Sequence, residues 1–355
     1  MRVGLDVRMI DSSGIGTTIR EMIRHFSAEQ REKLLLYGRP DWRNTTGCES
    51  KTVPYPVYGL RQHWSYARFL EREPISFFHM PHYDVPLTFL RPFVATVYDL
   101  IHYLFPQYST KPFTKQYSWL LLRHVAQHAK KIIAISENTK RDMVRVFPAS
   151  EPKIRVLPLA VAPSFAPASE GKTRKVLASY GLSKGYALYV GNLRESKNTP
   201  RLLRAYAGLA RERKNLPPLV LTGQNSLKPG VVEQHGPFIR YIGKTPFEQL
   251  DALYTGASLF VFPSLYEGFG LPPLEAMACG TPALVSTAAS LPEVCGDAAV
   301  YVDPYSETDI ARNIGTLLDD PNQREALRQK GFAQVKKYSW DAFAKGVWRV
   351  YEEMD

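Results

Sequence analysis

Short apolar runs alternate with amphipathic segments of helical length in the second half of this chain. Such runs are typical of strands buried on both faces, and helical segments between them are typical of a parallel sheet covered by helices. The predicted strands are residues 187–191, 219–223, 240–242, 259–262, 283–286 and 300–302. The predicted helices are residues 199–213, 246–255 and 307–318. Strands that end in a small residue place loops at one sheet edge, where α/β proteins bind ligands.

The first half repeats the pattern less regularly. Its candidate strands are residues 3–7, 34–37, 76–79, 93–97, 132–135 and 155–157. Residues 162–171, A-P-S-F-A-P-A-S-E-G, are rich in Pro, Ala and Ser and indicate a linker. We therefore predict an α/β chain with two sheet domains, residues 1–165 and 166–339. Aromatic and aliphatic side chains at helical spacing in residues 340–353 predict a C-terminal helix.

The composition is that of a globular protein, with 45% hydrophobic and 22% charged residues. The chain has no uninterrupted apolar stretch of about 18 residues and no charged leader followed by an apolar stretch, so we expect a cytoplasmic protein without a membrane span. The three cysteines, Cys48, Cys279 and Cys295, are an odd number and lack metal-type spacing. We expect reduced thiols, without a disulfide framework or a zinc site.

The net charge of +11 is unevenly distributed. Residues 1–165 hold 23 Lys and Arg against 14 Asp and Glu, or +9, which leaves 22 against 20, or +2, for residues 166–355. A basic domain suits nucleic acid, an anionic membrane or a phosphate-bearing acceptor, and it is also compatible with ordinary solvated charges. No zinc finger, RNA-recognition signature or heptad zipper occurs in the sequence, so nucleic acid is not an expected partner.

Residues 111–131 combine aromatic and aliphatic side chains with basic ones. Two interpretations fit this mixture. The segment is either a helix that lies on an anionic membrane surface, or a helix that faces the core and has a basic polar face.

The most informative motif is E-G-F-G-L-P-P-L-E at residues 267–275, directly after a predicted strand. Gly268 and Gly270 let the backbone approach a ligand, and the two prolines suit the first turn of a helix, where free N–H groups face an anion. Glu275 then falls on the first helical turns, within reach of hydroxyls beside a phosphate, while Glu267 stays on the loop. This arrangement suits a nucleotide-sugar, and the alternative is an ordinary strand-loop-helix corner.

Two cations, Arg194 and Lys197, follow the predicted strand 187–191. They are suited to clamp a diphosphate. Breaking an anomeric C–O bond puts negative charge on the leaving phosphate, and cations placed there stabilise the transition state more than the ground state. The alternative is a pair of solvated charges at the start of a helix.

The first half offers further candidates. Gly14 and Gly16 follow the first predicted strand and can bring N–H groups to the same phosphate, or they can form a tight turn. They lack the third glycine and the acid of a dinucleotide fingerprint, and they do not form a Walker loop. Asp99 and His102 follow the apolar run 93–97, and His82 follows another, so these three can bind or orient an acceptor or serve structural roles.

Taken together, these segments and A-M-A-C-G-T-P at residues 276–282 resemble the family-four retaining glycosyltransferases of the GT-B fold. The resemblance runs nearly end to end. It includes S-G-I-G at 13–16, P-H at 81–82, T-V-Y-D-L at 96–100, I-S-E-N-T-K at 135–140, V-L-P-L at 156–159, V-G-N-L-R at 190–194, K-N at 197–198 and L-P-E-V at 291–294.

The resemblance implies two Rossmann-like domains facing a central cleft, with the C-terminal helix, residues 340–355, crossing back to the first domain. The first domain would bind the acceptor and the second the donor. By resemblance the catalytic residues are Lys197, Arg194, Glu267 and Asp99, and the acceptor residues are His82 and His102. The donor-binding residues are Gly14, Gly16, Gly191, Asn192, Gly268, Phe269, Gly270, Leu271 and Glu275.

The chain departs from this family in two places. Ser196 stands where relatives often have Arg or His, and Tyr98 stands where they commonly have His near the donor sugar. No two aspartates are separated by a single residue, so the metal-binding Asp-x-Asp of the other major glycosyltransferase fold is missing. We therefore expect no metal and no other cofactor, with Lys197, Arg194 and the helix start at Gly270 supplying the positive charge.

The predicted activity is transfer of a hexose from a nucleotide diphosphate sugar to a hydroxyl of a glycan or a polyprenyl- or lipid-linked acceptor, with retention at the anomeric carbon. Similarity to bacterial surface-polysaccharide mannosyltransferases around residues 190–198 and 81–82 suggests GDP-mannose as the donor. The alternatives are a sugar-nucleotide epimerase, a glycan phosphorylase, or a non-catalytic protein that binds glycan or membrane. Peripheral contact with the inner face of the cytoplasmic membrane is a further expectation.

Overall fold

The computed structural model describes residues 1–109 and 111–354, apart from the side chains of Ser13 and Glu233. The chain divides into two compact units. The first unit comprises Met1–Leu159 and the C-terminal segment from Ser339, and the second comprises Ala160–Tyr338. Phe165, which lies in the predicted linker, is buried in the second unit, with its ring 5.2 Å from that of Phe247.

The first unit contains a sheet of seven parallel strands in the order β3-β2-β1-β4-β5-β6-β7. The strands are β1 Val3–Asp6, β2 Leu34–Gly38, β3 Glu49–Thr52, β4 Phe77–Met80, β5 Phe93–Val97, β6 Lys131–Ala134 and β7 Ile154–Val156. The direction of winding reverses between β1 and β4. In such a doubly wound sheet, the crevice at the carboxyl ends of the strands beside the reversal is where ligands bind.

The second unit contains six parallel strands in the order β10-β9-β8-β11-β12-β13, which reverses between β8 and β11. The strands are β8 Ala187–Val190, β9 Leu219–Thr222, β10 Ile239–Tyr241, β11 Leu259–Phe262, β12 Ala283–Ser286 and β13 Ala299–Val302. The four strands at the reversal and beside it, β8, β9, β11 and β12, are buried along their whole length, as their apolar sequences require.

Helices cover both sheets. In chain order they are α1 Ser13–His25, α2 Ala28–Glu32, α3 Ser65–Glu71, α4 Ile101–Leu104, α5 Thr114–His128, α6 Glu137–Val146, α7 Glu170–Ser179, α8 Thr199–Glu212, α9 Leu250–Gly256, α10 Leu271–Ala278, α11 Leu291–Cys295, α12 Glu307–Asp319, α13 Pro321–Val335 and α14 Trp340–Glu352. Among the described residues, none of these helices combines the length and the apolar character that a membrane span requires.

The predicted fold class, two Rossmann-like domains with parallel sheets, is confirmed. One strand escaped prediction. All four residues of β3 are exposed and three of them are Glu, Ser and Lys, so this edge strand contains no apolar run. Polar edge strands of this kind protect a sheet from pairing with other chains.

The C-terminal helix α14 packs in the first unit. Its residue Tyr351 is fully buried, and its hydroxyl lies 2.6 Å from Nδ1 of His79 on β4. The other ring nitrogen of His79, Nε2, lies 2.8 Å from the hydroxyl of Thr96 on β5. Burial lowers the pKa of His79 to about 3, so the ring is neutral and both nitrogens depend on these two partners.

We expect Tyr351→Phe to lower the free energy of unfolding by roughly 1–3 kcal/mol, because it leaves a buried ring nitrogen of His79 without a partner. Urea unfolding followed by circular dichroism measures this. Tyr305→Phe is the matched control, since Tyr305 is 65% exposed and its hydroxyl can bond to water. Equal stability of the two variants would contradict the assigned role of the Tyr351 hydroxyl.

Candidate active site

An ion pair between Lys197 and Glu267 is the centre of the candidate site. The Lys197 ammonium lies 2.5 Å from Oε1 and 2.7 Å from Oε2 of Glu267. Both side chains are largely shielded from solvent, at 17% and 11% exposure. The sequence indicates both residues, one for a diphosphate and one for a sugar, but it does not indicate that they bind each other.

The backbone of the two loops explains why these side chains meet. Lys197 ends a short 3-10 turn after β8, and Glu267 lies in the loop between β11 and α10. The carbonyl of Ser196 accepts hydrogen bonds from the Leu265 N–H at 3.1 Å and from the Ser264 hydroxyl at 3.3 Å. The two loops are thus joined one residue before Lys197 and two residues before Glu267.

Asn198 fixes the same region from the other side. Its backbone is left-handed, with φ at 59°, a conformation that Asn adopts more readily than most residues. Its buried amide donates to the carbonyls of Pro263 at 2.9 Å and Pro304 at 2.6 Å, and Arg201 donates to its side-chain oxygen at 2.6 Å. One side chain therefore connects the loops that follow β8, β11 and β13. The sequence signal was an Asn directly before a Thr-Pro helix start.

Glycine is required where the loop enters α10. Gly270 has φ of +107°, and a Cβ atom there would lie 2.7 Å from Leu291 Cδ2. Ser290, which is fully buried, donates from its hydroxyl to the carbonyls of Glu267 at 2.9 Å and Phe269 at 2.7 Å. The Phe269 side chain is buried against Tyr338, so its backbone remains the part available to a ligand. Gly268 is buried, and Leu271, half-buried, begins α10.

Glu275 lies on the second turn of α10. Its Oε2 accepts a hydrogen bond of 2.9 Å from the Tyr254 hydroxyl. Burial raises the pKa of Glu275 to about 7, although the Tyr254 bond partly opposes the shift. Tyr254 is itself buried and orients the carboxyl group, a role that no sequence motif indicates.

Arg194 lies at the start of the same 3-10 turn as Lys197. Its Nε is buried and has no hydrogen-bond partner among the described residues. A buried guanidinium nitrogen without a partner is costly, so this position is suited to an added anion. Gly191 and Asn192 lie just before it, and the Asn192 carbonyl accepts a hydrogen bond of 3.0 Å from Tyr189.

The structure places the two candidate glycines of the first unit at the start of a helix. Gly14 and Gly16 form the first turn of α1, which begins at Ser13. The Gly16 N–H donates to the Ser12 carbonyl at 2.5 Å, and a Cβ atom at Gly16 would lie 2.2 Å from the Ile10 carbonyl oxygen. Gly16 therefore serves the packing of α1. The space beside Gly14 is open. Donor binding by the backbone of both glycines stays a prediction.

The structure places the predicted acceptor residues of the first unit at the carboxyl end of its sheet. His82 follows β4, and its Nδ1 accepts a hydrogen bond of 3.0 Å from the Asp84 N–H. Burial and the neighbouring His102 lower the pKa of His82 to about 3, so the ring is neutral with its proton on Nε2. His102 is exposed on α4, and Asp99 accepts a hydrogen bond of 3.0 Å from the Ile101 N–H at the start of that helix.

A small open cavity lies beside His82 at the reversal between β1 and β4. Its charged lining was not predicted. Arg8 is buried and donates to Asp6 through Nη2 at 2.7 Å, while Asp84 accepts hydrogen bonds from Gln62 at 2.9 and 3.0 Å. The available sequence signal was the pair of opposite charges that follows the first apolar run, L-D-V-R.

Two Rossmann-like units with parallel sheets are the architecture of the GT-B glycosyltransferases. Family models agree with this. Residues 12–165 match "Glycosyltransferase Family 4", and residues 174–334 match "Glycosyl transferases group 1".

Curated relatives extend the agreement. O-antigen chain mannosyltransferase B of Escherichia coli is 35% identical over 292 residues, which are 80% of this chain and 75% of that protein. The serotype-specific mannosyltransferase WbdA of Escherichia coli is 31% identical over 60% of this chain, a match that spans 28% of WbdA. The chain belongs to the family-four glycosyltransferases.

Solved structures show the same fold. Sucrose-phosphate synthase from Thermosynechococcus elongatus superposes with a TM-score of 0.80 over 99% of this chain and 98% of that one, at 18% sequence identity.

We expect the Glu275 carboxyl to titrate with a pKa near 7, well above the usual 4.5. The folded protein then holds this proton more tightly than the unfolded chain, so ionisation of Glu275 lowers stability as the pH rises from about 4.5 to about 7. The free energy of unfolding of the wild-type protein should decline across this range, and that of Glu275→Gln should not show this decline.

The Tyr254 hydroxyl donates to the Glu275 carboxylate and so opposes the rise in its pKa. We therefore expect Tyr254→Phe to raise the pKa of Glu275 further in a carbon-13 NMR titration. An unchanged pKa would contradict the Tyr254 bond.

Proposed function

We propose that this glycosyltransferase moves a mannosyl group from a nucleotide diphosphate donor, with GDP-mannose as the first candidate, to a hydroxyl of a surface-polysaccharide acceptor carried on a lipid. Transfer proceeds with retention at the anomeric carbon and without a metal ion. The observation that carries the proposal is the shielded Lys197–Glu267 pair beside the start of α10, with Glu275 on the same helix.

The donor is oriented by three groups of the second unit. The diphosphate lies against the free N–H groups at the start of α10 and against Lys197 and Arg194. Glu275, held by Tyr254, accepts hydrogen bonds from the ribose hydroxyls. Glu267 accepts hydrogen bonds from the hydroxyls of the sugar. The unpartnered Nε of Arg194 and the absence of any Cβ at Gly270 support close approach of a phosphate.

Catalysis rests on charge that develops on the leaving phosphate. As the anomeric C–O bond breaks, the diphosphate gains negative charge, and Lys197, Arg194 and the α10 start stabilise it. The acceptor hydroxyl attacks from the same face, and its proton passes to the departing phosphate oxygen. No protein nucleophile is needed for this step.

Before the donor arrives, the Lys197–Glu267 pair keeps each charge neutralised. An unpaired charge in a shielded site is costly, and a close ion pair with two hydrogen bonds offsets part of that cost. Donor binding exchanges these partners, since the phosphates take Lys197 and the sugar hydroxyls take Glu267.

The acceptor side of the proposal belongs to the first unit. The neutral His82 ring presents Nε2–H to a sugar oxygen, and the cavity beside it offers the carboxylates of Asp6 and Asp84 as acceptors. Asp99 and His102 lie on the adjacent segment and complete the proposed acceptor residues. Two relatives named as mannosyltransferases, at 35% and 31% identity, support mannose as the sugar and a polysaccharide as the acceptor.

Purified protein incubated with GDP-mannose and a lipid-linked oligosaccharide tests the reaction. We expect a product one mannose longer whose anomeric configuration, read by proton NMR, matches the donor. UDP-glucose serves as the comparison donor. A rearranged sugar nucleotide formed without acceptor would indicate an epimerase, a requirement for inorganic phosphate would indicate a phosphorylase, and an unconsumed donor would indicate a binding protein.

Glu267→Gln should raise the affinity for free GDP by about tenfold, because it removes the carboxylate that competes with the diphosphate for Lys197. Turnover should fall at the same time, since the sugar loses a charged partner. Isothermal titration calorimetry and steady-state kinetics measure the two effects. A loss of GDP affinity would show that Glu267 supports the nucleotide rather than competing with it.

Lys197→Met should lower turnover by about a hundredfold or more, as loss of a preorganised charge-stabilising donor commonly does. Affinity for the donor should fall by less, and the wild-type enzyme should stay active in excess EDTA. Because the variant leaves Glu267 unpaired, Lys197→Met with Glu267→Gln is needed as the charge-balanced comparison. The exposed Lys228→Met is the matched control. Near-normal turnover of both Lys197 variants, with activity that requires magnesium or manganese, would overturn the metal-free mechanism.

A further inference from the structure

Large exposed apolar side chains are concentrated in three segments of the first unit. They are Leu60 (75% exposed), Trp64 (64%), Leu90 (65%), Phe113 (76%), Trp119 (37%) and Leu120 (42%). Single exposed apolar residues are ordinary, but a group of this size on one surface marks a site that binds a membrane or another molecule. We refer to these six residues as the apolar surface.

Hydrogen bonds around His63 bring the three segments together. The Nε2 of His63 lies 3.0 Å from the Tyr117 hydroxyl on α5, and its Nδ1 accepts the Leu87 N–H at 3.1 Å. A second connection joins α5 to the middle segment, because His124 Nε2 lies 3.2 Å from the Phe89 carbonyl. Trp64, Leu90 and α5 are therefore neighbours, held by buried polar contacts.

Helix α5 has one buried face and an exposed face that carries apolar as well as basic side chains. It buries Ser118, Leu121, Leu122, His124, Val125 and Ala126. Its outward positions carry Lys115, Gln116, Trp119, Leu120 and Arg123, all exposed. The Arg123 guanidinium lies 5.1 Å from the centre of the Trp119 ring, a cation–π contact at the surface. The buried face confirms the interpretation as a helix that faces the core and has a basic outer face. The membrane interpretation concerns the exposed face and stays a prediction.

The three segments that carry the apolar surface are basic. Residues 50–70, 85–98 and 100–136 contain no Asp or Glu, while they contain Arg61, Lys111, Lys115 and Arg123 among other basic residues. Exposed basic side chains around aromatic and aliphatic ones match the headgroup region of an anionic membrane.

We propose that the apolar surface docks the first unit on an anionic membrane. The six apolar side chains enter the headgroup region, and the surrounding lysines and arginines bind lipid phosphates. A second copy of the chain is a poorer occupant, because a two-fold contact would set basic residues against each other. The proposal concerns binding alone and does not depend on sugar transfer.

Flotation of the full chain with vesicles tests it. We expect binding to vesicles of phosphatidylglycerol and phosphatidylcholine, weak binding to phosphatidylcholine alone, and a loss of binding as salt is raised. Trp64→Ser with Leu90→Ser, and separately Lys115→Glu with Arg123→Glu, should each lower the partition coefficient by about tenfold or more. The matched controls are Phe247→Ser and Lys214→Glu with Lys228→Glu, which change similar exposed residues of the second unit.

Three results would overturn the proposal. The first is no flotation of the wild-type chain with anionic vesicles at low salt. The second is an equal loss in Lys214→Glu with Lys228→Glu, which would mean that net charge alone drives binding. The third is a dimer, seen by light scattering, that the Trp64 and Leu90 substitutions dissociate while vesicle binding is absent. Thermal unfolding of each variant shows whether a loss of vesicle binding comes from the changed surface or from a destabilised fold.

Discussion

In a parallel sheet every strand ends at the same edge, so the loops at that edge must hold functional side chains without help from strand pairing. In the second unit small buried polar side chains do this by binding backbone carbonyls. Ser290 holds the Glu267 loop, Asn198 holds the loops after β11 and β13, and the Ser286 hydroxyl lies 2.5 Å from the Ser264 carbonyl. The position of Lys197 against Glu267 depends on these contacts. Buried polar groups arranged in this way favour a single loop conformation.

Buried charges at the carboxyl ends of the strands have different partners in the two units. In the first unit Arg8 donates to Asp6, to the Tyr55 carbonyl and to Gln62, so its guanidinium is bound by fixed protein groups. In the second unit the Lys197 ammonium has Glu267 as its hydrogen-bond partner among the described residues. A buried ion pair is weak evidence for stability, since apolar residues of similar volume often do as well. The Lys197–Glu267 pair is therefore better explained by the proposed binding of a donor, which would replace both partners, than by a contribution to folding stability.

The sequence predicted the two sheets well, because every strand except β3 contains apolar residues between loop signals. The helix start at Gly270 was also predictable, because proline and glycine restrict the backbone locally. Three features were not. The exposed edge strand β3 has no periodic signal, the start of α1 at Gly14 and Gly16 is hidden because glycine is a poor helix former, and the Lys197–Glu267 contact joins residues 70 positions apart. Contacts of that kind follow from loop packing in three dimensions, which no local pattern encodes.

The uneven charge of the chain gains a physical meaning from the structure. In the proposed mechanism the cations of the second unit act at contact distance on a diphosphate, and a near-balanced charge of +2 suffices there because each cation is positioned. Electrostatic attraction between a protein and an anionic membrane depends instead on the sum of many charges, and salt screens it beyond a Debye length of about 10 Å at 0.1 M. The +9 of residues 1–165 suits that second kind of interaction. An acceptor carried on a lipid would then be concentrated near the first unit before any sugar contact forms, so that the polar cavity beside His82 has only to orient it.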